Sequence, residues 1–138
     1  MYKKSILSIL ALLLLSQSPR SDEWPRVRRE YLKAHPVCEI CGIKKSLQVH
    51  HIMVFHRHPE KELDPDNLMT VCTSKYWGFN CHLVIHGGNF KYENPWARED
   101  AERLHSIGYK NQTELNKYIK LIRKRVKEYN CKAYEYCR

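Results

Sequence analysis

The chain has 138 residues, 43% of them hydrophobic, and a formal net charge of +9. This length leaves no room for a second domain of ordinary size, and a domain this small buries only a modest core, to which a structural metal would add stability. The basic charge favours anionic partners, but charge alone does not choose between nucleic-acid backbones and membrane surfaces.

The first twenty residues have the pattern of a targeting segment. Lys3 and Lys4 form a basic start, and an apolar run follows from Ile6 to Leu15. That run is too short for a comfortable membrane span and is typical of a signal-peptide core. The alternatives are a misplaced start codon and a short buried or membrane-associated helix. We therefore expect export to the periplasm or the exterior, with the cytoplasm as the alternative, and no stable membrane partner beyond this segment.

The remaining residues predict helices around two short strands, without internal repeats or low-complexity tracts. Ser21 or Asp22 is expected to cap the first helix, and Pro36 to end it. Gly87 and Gly88 provide a left-handed stop for a short helix before them. The predicted elements, in chain order, are a helix from Ser21 to Ala34, a cysteine knuckle at 38–42, strands at 47–52 and 68–72, and helices at 81–86, 98–106 and 113–129.

Four of the six cysteines are spaced as metal ligands. Cys38 and Cys41 lie in a Cys-x-x-Cys-Gly turn, which lets two thiolates meet one tetrahedral ion. Cys72 ends the second predicted strand and Cys81 opens the following helix, so they could supply a second pair, although eight residues separate them. We expect a structural zinc site, with disulfides or free buried thiols as the alternative. Cys131 and Cys137 have no evident site, and a late disulfide or idle thiols are expected there.

Paired histidines at the end of the first strand indicate catalysis. His50 and His51 point to opposite faces of a strand, which suits one metal ligand and one free base. His82 and His86 lie four residues apart on a helix, so both imidazoles can share an ion. A site of three imidazoles with open coordination positions is typical of a catalytic metal, whereas a half-buried structural histidine is the alternative for either member of the pair.

At this point the sequence resembles the HNH endonucleases, a branch of the ββα-metal or His-Me finger nucleases. The resemblance runs from Trp24 to about Ala101, and its ordered motifs are more specific than any one of them. The matching pieces include Val27-Arg28, His35-Pro36, Cys38-x-x-Cys41-Gly42, Leu47-Gln48-Val49-His50-His51-Ile52, Phe55-His56, Pro59-Glu60, Leu63-Asp64-Pro65-Asp66-Asn67-Leu68, Cys72, Asn80-Cys81-His82-Leu83, His86, Gly88-Asn89-Phe90 and Asn94-Pro95.

The letters of the motif would fall on His51, Asn67 and either His82 or His86. The resemblance implies that His50, His82 and His86 hold one divalent ion on the scissile phosphate, while His51 activates water as general base. Asn67 would tie down the 53–66 loop and fix the tilt of His51, its alternative being a solvent-facing turn residue.

Two departures from the family pattern affect these expectations. His50 stands where many members have Asp, so the ion, one of Mg²⁺, Mn²⁺, Ni²⁺ or Zn²⁺, is expected to be a transition metal before Mg²⁺. The second departure is the wide Cys72–Cys81 interval.

Nucleic acid is the expected partner, and double-stranded DNA the expected substrate. The resemblance implies that cleavage leaves a 3′-hydroxyl and a 5′-phosphate. The last helix carries basic residues around its apolar stripe, which could follow a phosphate backbone or simply face solvent. His56 could contact substrate or its own loop. The basic residues expected to bind nucleic acid are Lys120, Arg123, Lys124 and Lys127.

The sequence therefore predicts a small α+β protein with a ββα-metal core, a zinc knuckle and flanking helices. Its expected divisions are a signal-like segment at 1–20, a nuclease domain at 21–110 and a basic C-terminal helix at 111–138 packed on that domain. Two other functions remain open at this stage. One is a non-catalytic, zinc-stapled DNA-binding module, and the other is an exported, disulfide-bonded binding protein without metal.

Overall fold

A two-stranded sheet and one short helix stand at the centre of the molecule. The structure is a computed structural model, and it describes residues 18–137. In chain order the elements are α1 (Trp24–Ala34), β1 (Leu47–His51), β2 (Leu68–Cys72), α2 (Cys81–Ile85), α3 (Ala97–Ile107) and α4 (Gln112–Tyr134), with short 3-10 turns at Pro59–Lys61 and Pro65–Asn67. This mixed arrangement confirms the α+β class and is consistent with a ββα core.

The two strands pair antiparallel, and their register places the histidine pair opposite buried residues. Leu47 pairs with Cys72 at one end and His51 with Leu68 at the other. Every residue of β2 is buried, whereas β1 is buried only at His50 and His51. The histidine end of β1 is therefore the part of that strand enclosed by the fold.

Helix α2 begins and ends at residues that suit each position. The Asn80 side chain accepts a hydrogen bond of 3.0 Å from the Leu83 backbone N–H and so caps the first turn. Gly87 and Gly88 have φ values of 67° and 88°, and their N–H groups donate to Val84 and Leu83 carbonyls. The chain thus leaves α2 through the predicted left-handed stop.

Helices α3 and α4 complete the core around α2. The apolar stripe of α4 is buried as periodicity predicted, and Asp100, also buried, accepts hydrogen bonds from Tyr118 and Arg125 of α4. One hydrophobic cluster joins the knuckle, β2 and the three later helices, and it includes Ile40, Met69, Val71, Val84, Ile85, Leu104, Leu115, Ile119, Ile122 and Val126.

Several element boundaries differ from expectation by one to five residues. Helix α1 begins at Trp24 without a side-chain cap, because Ser21 forms a turn in which its carbonyl accepts from Trp24 and its N–H donates to Glu62. Strand β1 ends at His51, because the Ile52 N–H donates to the Asn67 carbonyl outside the ladder.

Helix α4 runs five residues past Tyr129. Its extension is held where Asn130 exchanges hydrogen bonds with the Glu93 backbone. Cys131, within this extension, forms a disulfide with Cys137, as one of the two interpretations of that pair proposed.

The apolar run at Ile6–Leu15 that suggested a signal peptide lies outside the described residues. Between residues 18 and 137, no helix combines the length and apolarity that crossing a membrane requires.

Replacing Gly87 by Ala should destabilise the fold, because the added methyl would lie 2.6 Å from Val126 Cγ1 and the backbone there has a φ of +67°. Strain of the left-handed backbone and overpacking each cost about 1–3 kcal/mol, so we expect the Gly87→Ala free energy of unfolding to fall by about 2–4 kcal/mol in urea denaturation. Gly78→Ala is the matched control, since Gly78 has a φ of +91° but open space around it. Equal losses in both variants would contradict tight α2–α4 packing.

Candidate functional site

Four buried cysteines meet where the knuckle, the end of β2 and the start of α2 converge. The Sγ atoms of Cys38, Cys41, Cys72 and Cys81 all lie within 4.8 Å of one another, and none of the four is in a disulfide. The Cys41 and Cys72 sulfurs are 3.5 Å apart. The wide Cys72–Cys81 interval therefore still delivers a second pair of ligands, because residues 73–80 form a loop that returns the chain to the knuckle.

The thiols of this cluster are electrostatically coupled. A hydrogen bond from Cys81, with further backbone N–H groups, lowers the pKa of Cys38 to about 5. Burial and then the charge at Cys38 raise the pKa of Cys72 to about 12, and burial also raises the pKa of Cys41. Buried thiolates repel one another unless a cation neutralises them. The set of four soft sulfur donors around one point fits a tetrahedral metal ion.

Three histidines, one from β1 and two from α2 and its C-terminal end, form a second cluster. The ligand atoms of His50, His82 and His86 lie within 4.8 Å of one another. The His50 ring centroid is 5.3 Å from that of His82 and 4.5 Å from that of His86. His50 Nε2 is buried and has no hydrogen-bond partner among the described residues. Such an orphaned ring nitrogen, facing two other imidazoles, fits a metal ligand.

Hydrogen bonds orient the two helical imidazoles toward this point. His82 Nδ1 lies 2.6 Å from Gln48 Oε1, and His86 Nδ1 lies 2.7 Å from the Tyr92 carbonyl oxygen. Because a carbonyl oxygen can only accept, each Nδ1 carries the proton and each Nε2 keeps its lone pair. A carbonyl behind a ligating histidine is the usual support of a protein metal site.

Burial keeps these imidazoles neutral. It lowers the pKa of His50 well below the ordinary value and the pKa of His82 to about 4, with the neighbouring imidazoles acting in the same direction. Burial also lowers the pKa of His86. A neutral imidazole is the form that binds a metal ion.

His51 points away from this cluster and has a different partner. Its Nε2 lies 3.0 Å from the Glu62 carbonyl oxygen, and its ring packs 4.5 Å from the ring of Trp24, centroid to centroid. Since the carbonyl can only accept, Nε2 carries the proton and Nδ1 is left unprotonated. Burial lowers the pKa of His51. The opposite directions predicted for the two adjacent histidines are thus what the structure has.

Asn67 holds the loop that follows β1. Its Nδ2 donates to the Met53 and Lys61 carbonyls, each at 3.1 Å, and its Oδ1 accepts from the Met53 N–H at 2.7 Å. The side chain is buried, so the solvent-facing interpretation is wrong. Asn67 holds the loop as expected. The ring of His51 is held by another group, because it donates to the carbonyl of Glu62, the residue after Lys61.

The three clustered histidines and His51 all line one pocket of about 360 Å³. Arg20, Phe55, His56 and Phe90 line it as well. Arg20 pairs with Glu62 at 3.0 Å and lies over the Phe55 ring at 4.4 Å. Sequence reasoning missed Arg20, because it assigned that residue to the N-terminal segment. It also missed Glu62, because no local pattern marks a residue whose role depends on contacts 41 and 42 positions away.

Glu93 is a further residue that the sequence did not single out. Its buried carboxylate accepts from the Val54 N–H at 2.9 Å and from the Tyr134 hydroxyl at 2.8 Å. His58 Nε2 also lies 3.2 Å from it. Through these contacts the C-terminal end of α4 supports the pocket loop that carries Phe55 and His56. His56 itself is exposed at the pocket.

The basic residues of α4 lie away from the histidine pocket. All four that were expected to bind nucleic acid are exposed, but none lines that pocket. Lys120 and Arg123 line a separate cleft with Trp77 and Phe79. Lys124 and Lys127 line another depression, so the four basic residues are divided between two surfaces.

Comparisons with known proteins agree with this geometry. The family model described as HNH endonuclease matches residues 38–87, a segment that begins at the first cysteine of the knuckle and ends just beyond His86. Comparisons with curated proteins and with solved structures gave no significant match. The segment similar to the HNH endonuclease family contains the four clustered cysteines, all three clustered imidazoles and His51, so the likeness covers both candidate metal sites.

Proposed function

We propose that this protein is a metal-dependent endonuclease that hydrolyses phosphodiester bonds of DNA. One observation carries the proposal: a single pocket is lined both by His50, whose buried Nε2 has no hydrogen-bond partner among the described residues, and by His51, whose Nδ1 is left unprotonated. A ligand and a base on adjacent residues are what hydrolysis of a phosphodiester requires. The family match supports the nuclease class.

His50, His82 and His86 would hold a divalent cation. When bound there, it would supply Lewis-acid stabilisation of the negative charge that develops on the phosphate and the leaving 3′ oxygen. Gln48 and the Tyr92 carbonyl would keep two of the rings in the ligating tautomer. Three imidazoles and no carboxylate favour Ni²⁺, Mn²⁺ or Zn²⁺ over Mg²⁺ at this position.

His51 would act as the general base. Its Nδ1 can take a proton from a water molecule in the pocket, while the Glu62 carbonyl continues to hold the Nε2 proton. Glu62 is in turn held by Arg20 and the Ser21 N–H, and the loop around it by Asn67. Asn67 is therefore a positioning residue in this proposal.

Arg20 supplies the positive charge at the mouth of the pocket. Its guanidinium pairs with Glu62 but keeps about half of the side chain exposed, so its remaining N–H groups are free to meet a phosphate. A phosphate approaching His51 would pass this cation. DNA is the substrate class that we propose, since the net charge of +9 favours a polyanion.

The four-cysteine cluster would hold a structural zinc ion. Its thiols are buried, none of them lines the histidine pocket, and a closed set of four protein ligands is typical of a structural rather than a catalytic site. The ion would join the knuckle, β2 and α2, which together carry the histidine cluster.

Elemental analysis should find one zinc per chain that survives an EDTA concentration sufficient to stop cleavage, because four thiolates bind far more tightly than an open imidazole site. Cys72→Ser should lose that zinc. The double variant Cys131→Ser/Cys137→Ser should keep it, since those cysteines form a separate disulfide. Wild-type protein without zinc and without free thiols would overturn the assignment in favour of disulfides.

His51→Ala should reduce plasmid nicking by about 10²–10⁴-fold, the usual contribution of a general base, while metal content and DNA affinity stay close to wild type. His35→Ala is the control, because His35 is an exposed histidine that does not line the pocket. A His51→Ala protein that nicks at the wild-type rate would refute the assignment. If neither protein nicks with any of Mg²⁺, Mn²⁺, Ni²⁺ or Zn²⁺ while both bind DNA, the chain is a non-catalytic, zinc-stapled binding module.

A further inference from the structure

A second cleft, of about 320 Å³, lies outside the histidine pocket between residues 77–79 and the first half of α4. It combines aromatic, amide and cationic side chains. Those that matter here are Trp77, Phe79, Gln112, Asn116, Lys120 and Arg123. Neither the four thiols nor the four histidines of the site described above line it.

An aromatic depression of about 200 Å³ adjoins this cleft and shares Trp77 with it. Its other lining residues are Tyr76 and Tyr109, whose side chains are 63% and 55% exposed. The Trp77 and Tyr109 rings lie 6.4 Å apart, centroid to centroid. Trp77 itself is buried and belongs to the core, so its position is explained by packing. The exposure of the two tyrosines is not.

Two cationic side chains also line the cleft. Lys120 and Arg123 are exposed on consecutive turns of α4. The Arg123 side chain extends toward the histidine helix, since its Nε lies 3.5 Å from where a Cβ of Gly88 would be. Gly88 is two residues beyond His86. Arg123 thus lies beside the chain that leaves α2, and the cleft that it lines shares Trp77 with the depression of the two exposed tyrosines.

Cations followed by exposed aromatic rings match the chemistry of a nucleic-acid single strand. Lysine and arginine side chains pair with phosphates, and aromatic rings stack on bases. In a duplex the bases stack on one another and offer only their edges to a protein, so their faces are free only where the strand is unpaired. Exposed Lys75 and Lys110, the sequence neighbours of the two tyrosines, add to the positive charge.

We propose that this surface, formed by Tyr76, Tyr109, Asn116, Lys120 and Arg123, binds unpaired nucleotides of the nucleic-acid substrate. The proposal rests on the nuclease function above and extends it, because it makes a strand with an unpaired segment the preferred substrate. Lys120 and Arg123 bind the backbone, and the two tyrosines stack on successive bases beyond it.

The test measures binding without cleavage, by fluorescence anisotropy of a labelled single-stranded oligothymidylate and of a duplex of the same length, in a His51→Ala background. Adding Tyr76→Ala and Tyr109→Ala together should weaken single-strand binding about 25-fold or more, the usual effect of losing two stacked bases, and change duplex binding less than twofold. Tyr76→Phe/Tyr109→Phe should bind as the parent does, because the rings remain. Tyr136→Ala, which removes an exposed tyrosine elsewhere, is the control.

A second pair of substitutions tests the cationic end independently. Lys120→Ala/Arg123→Ala should lower the slope of log affinity against log salt for the single strand by about 1.4, which corresponds to two phosphate contacts. The proposal is overturned if the tyrosine-to-alanine variant binds the single strand as tightly as its parent, or if it loses single-strand and duplex binding equally. It is also overturned if the protein binds a partner of another class through these tyrosines and no oligonucleotide.

Plasmid nicking by the same tyrosine variants with an intact His51 separates the two proposals. If the tyrosine-to-alanine substitutions abolish single-strand binding, but the protein does not nick plasmid even without them, the nuclease is refuted and the surface stands. Nicking by a protein that never binds the single strand refutes the surface and leaves the nuclease.

Discussion

The convergence of four cysteines on one point is the constraint on which the rest of the site depends. Cys38 and Cys41 come from the knuckle, Cys72 from the last position of β2 and Cys81 from the first position of α2. A metal ion on these thiols would fix the start of α2 against the end of β2 and so set the direction of a helix too short to be stable by itself. With the helix in that direction, the imidazoles of His82 and His86 both face His50 of β1.

A second constraint acts on the loop between the strands, and it orients His51. The backbone carbonyl of Glu62 holds the imidazole, and the side chains of Asn67 and Glu93 hold the two ends of the loop. Glu93 is contacted in turn by Tyr134 near the C-terminus of α4. The geometry of the proposed base is therefore set by backbone and loop contacts, whereas a metal ion on the thiol cluster would set the geometry of the proposed metal ligands.

The sequence predicted those parts of the fold that depend on local patterns. Spacing and periodicity predicted the bounds of β2, the glycine stop after α2, the meeting of four cysteines and the opposite directions of His50 and His51. The structure has each of these features. Arg20, Glu62 and Glu93 could not be found in this way, because each acts through contacts about 40 residues away. The extension of α4 was missed for the same reason, since Asn130 is stabilised by Glu93.

The central claim is that the orphaned ring nitrogen of His50 completes a three-imidazole metal site, and titration calorimetry with Ni²⁺ tests it most directly. On protein whose cysteine cluster is already loaded with zinc, the account predicts one further site per chain in the wild type. It also predicts that His50→Ala weakens binding at that site at least tenfold, while His35→Ala, which removes an exposed imidazole outside the pocket, leaves it unchanged. Equal Ni²⁺ affinity in the wild type and His50→Ala would contradict the account.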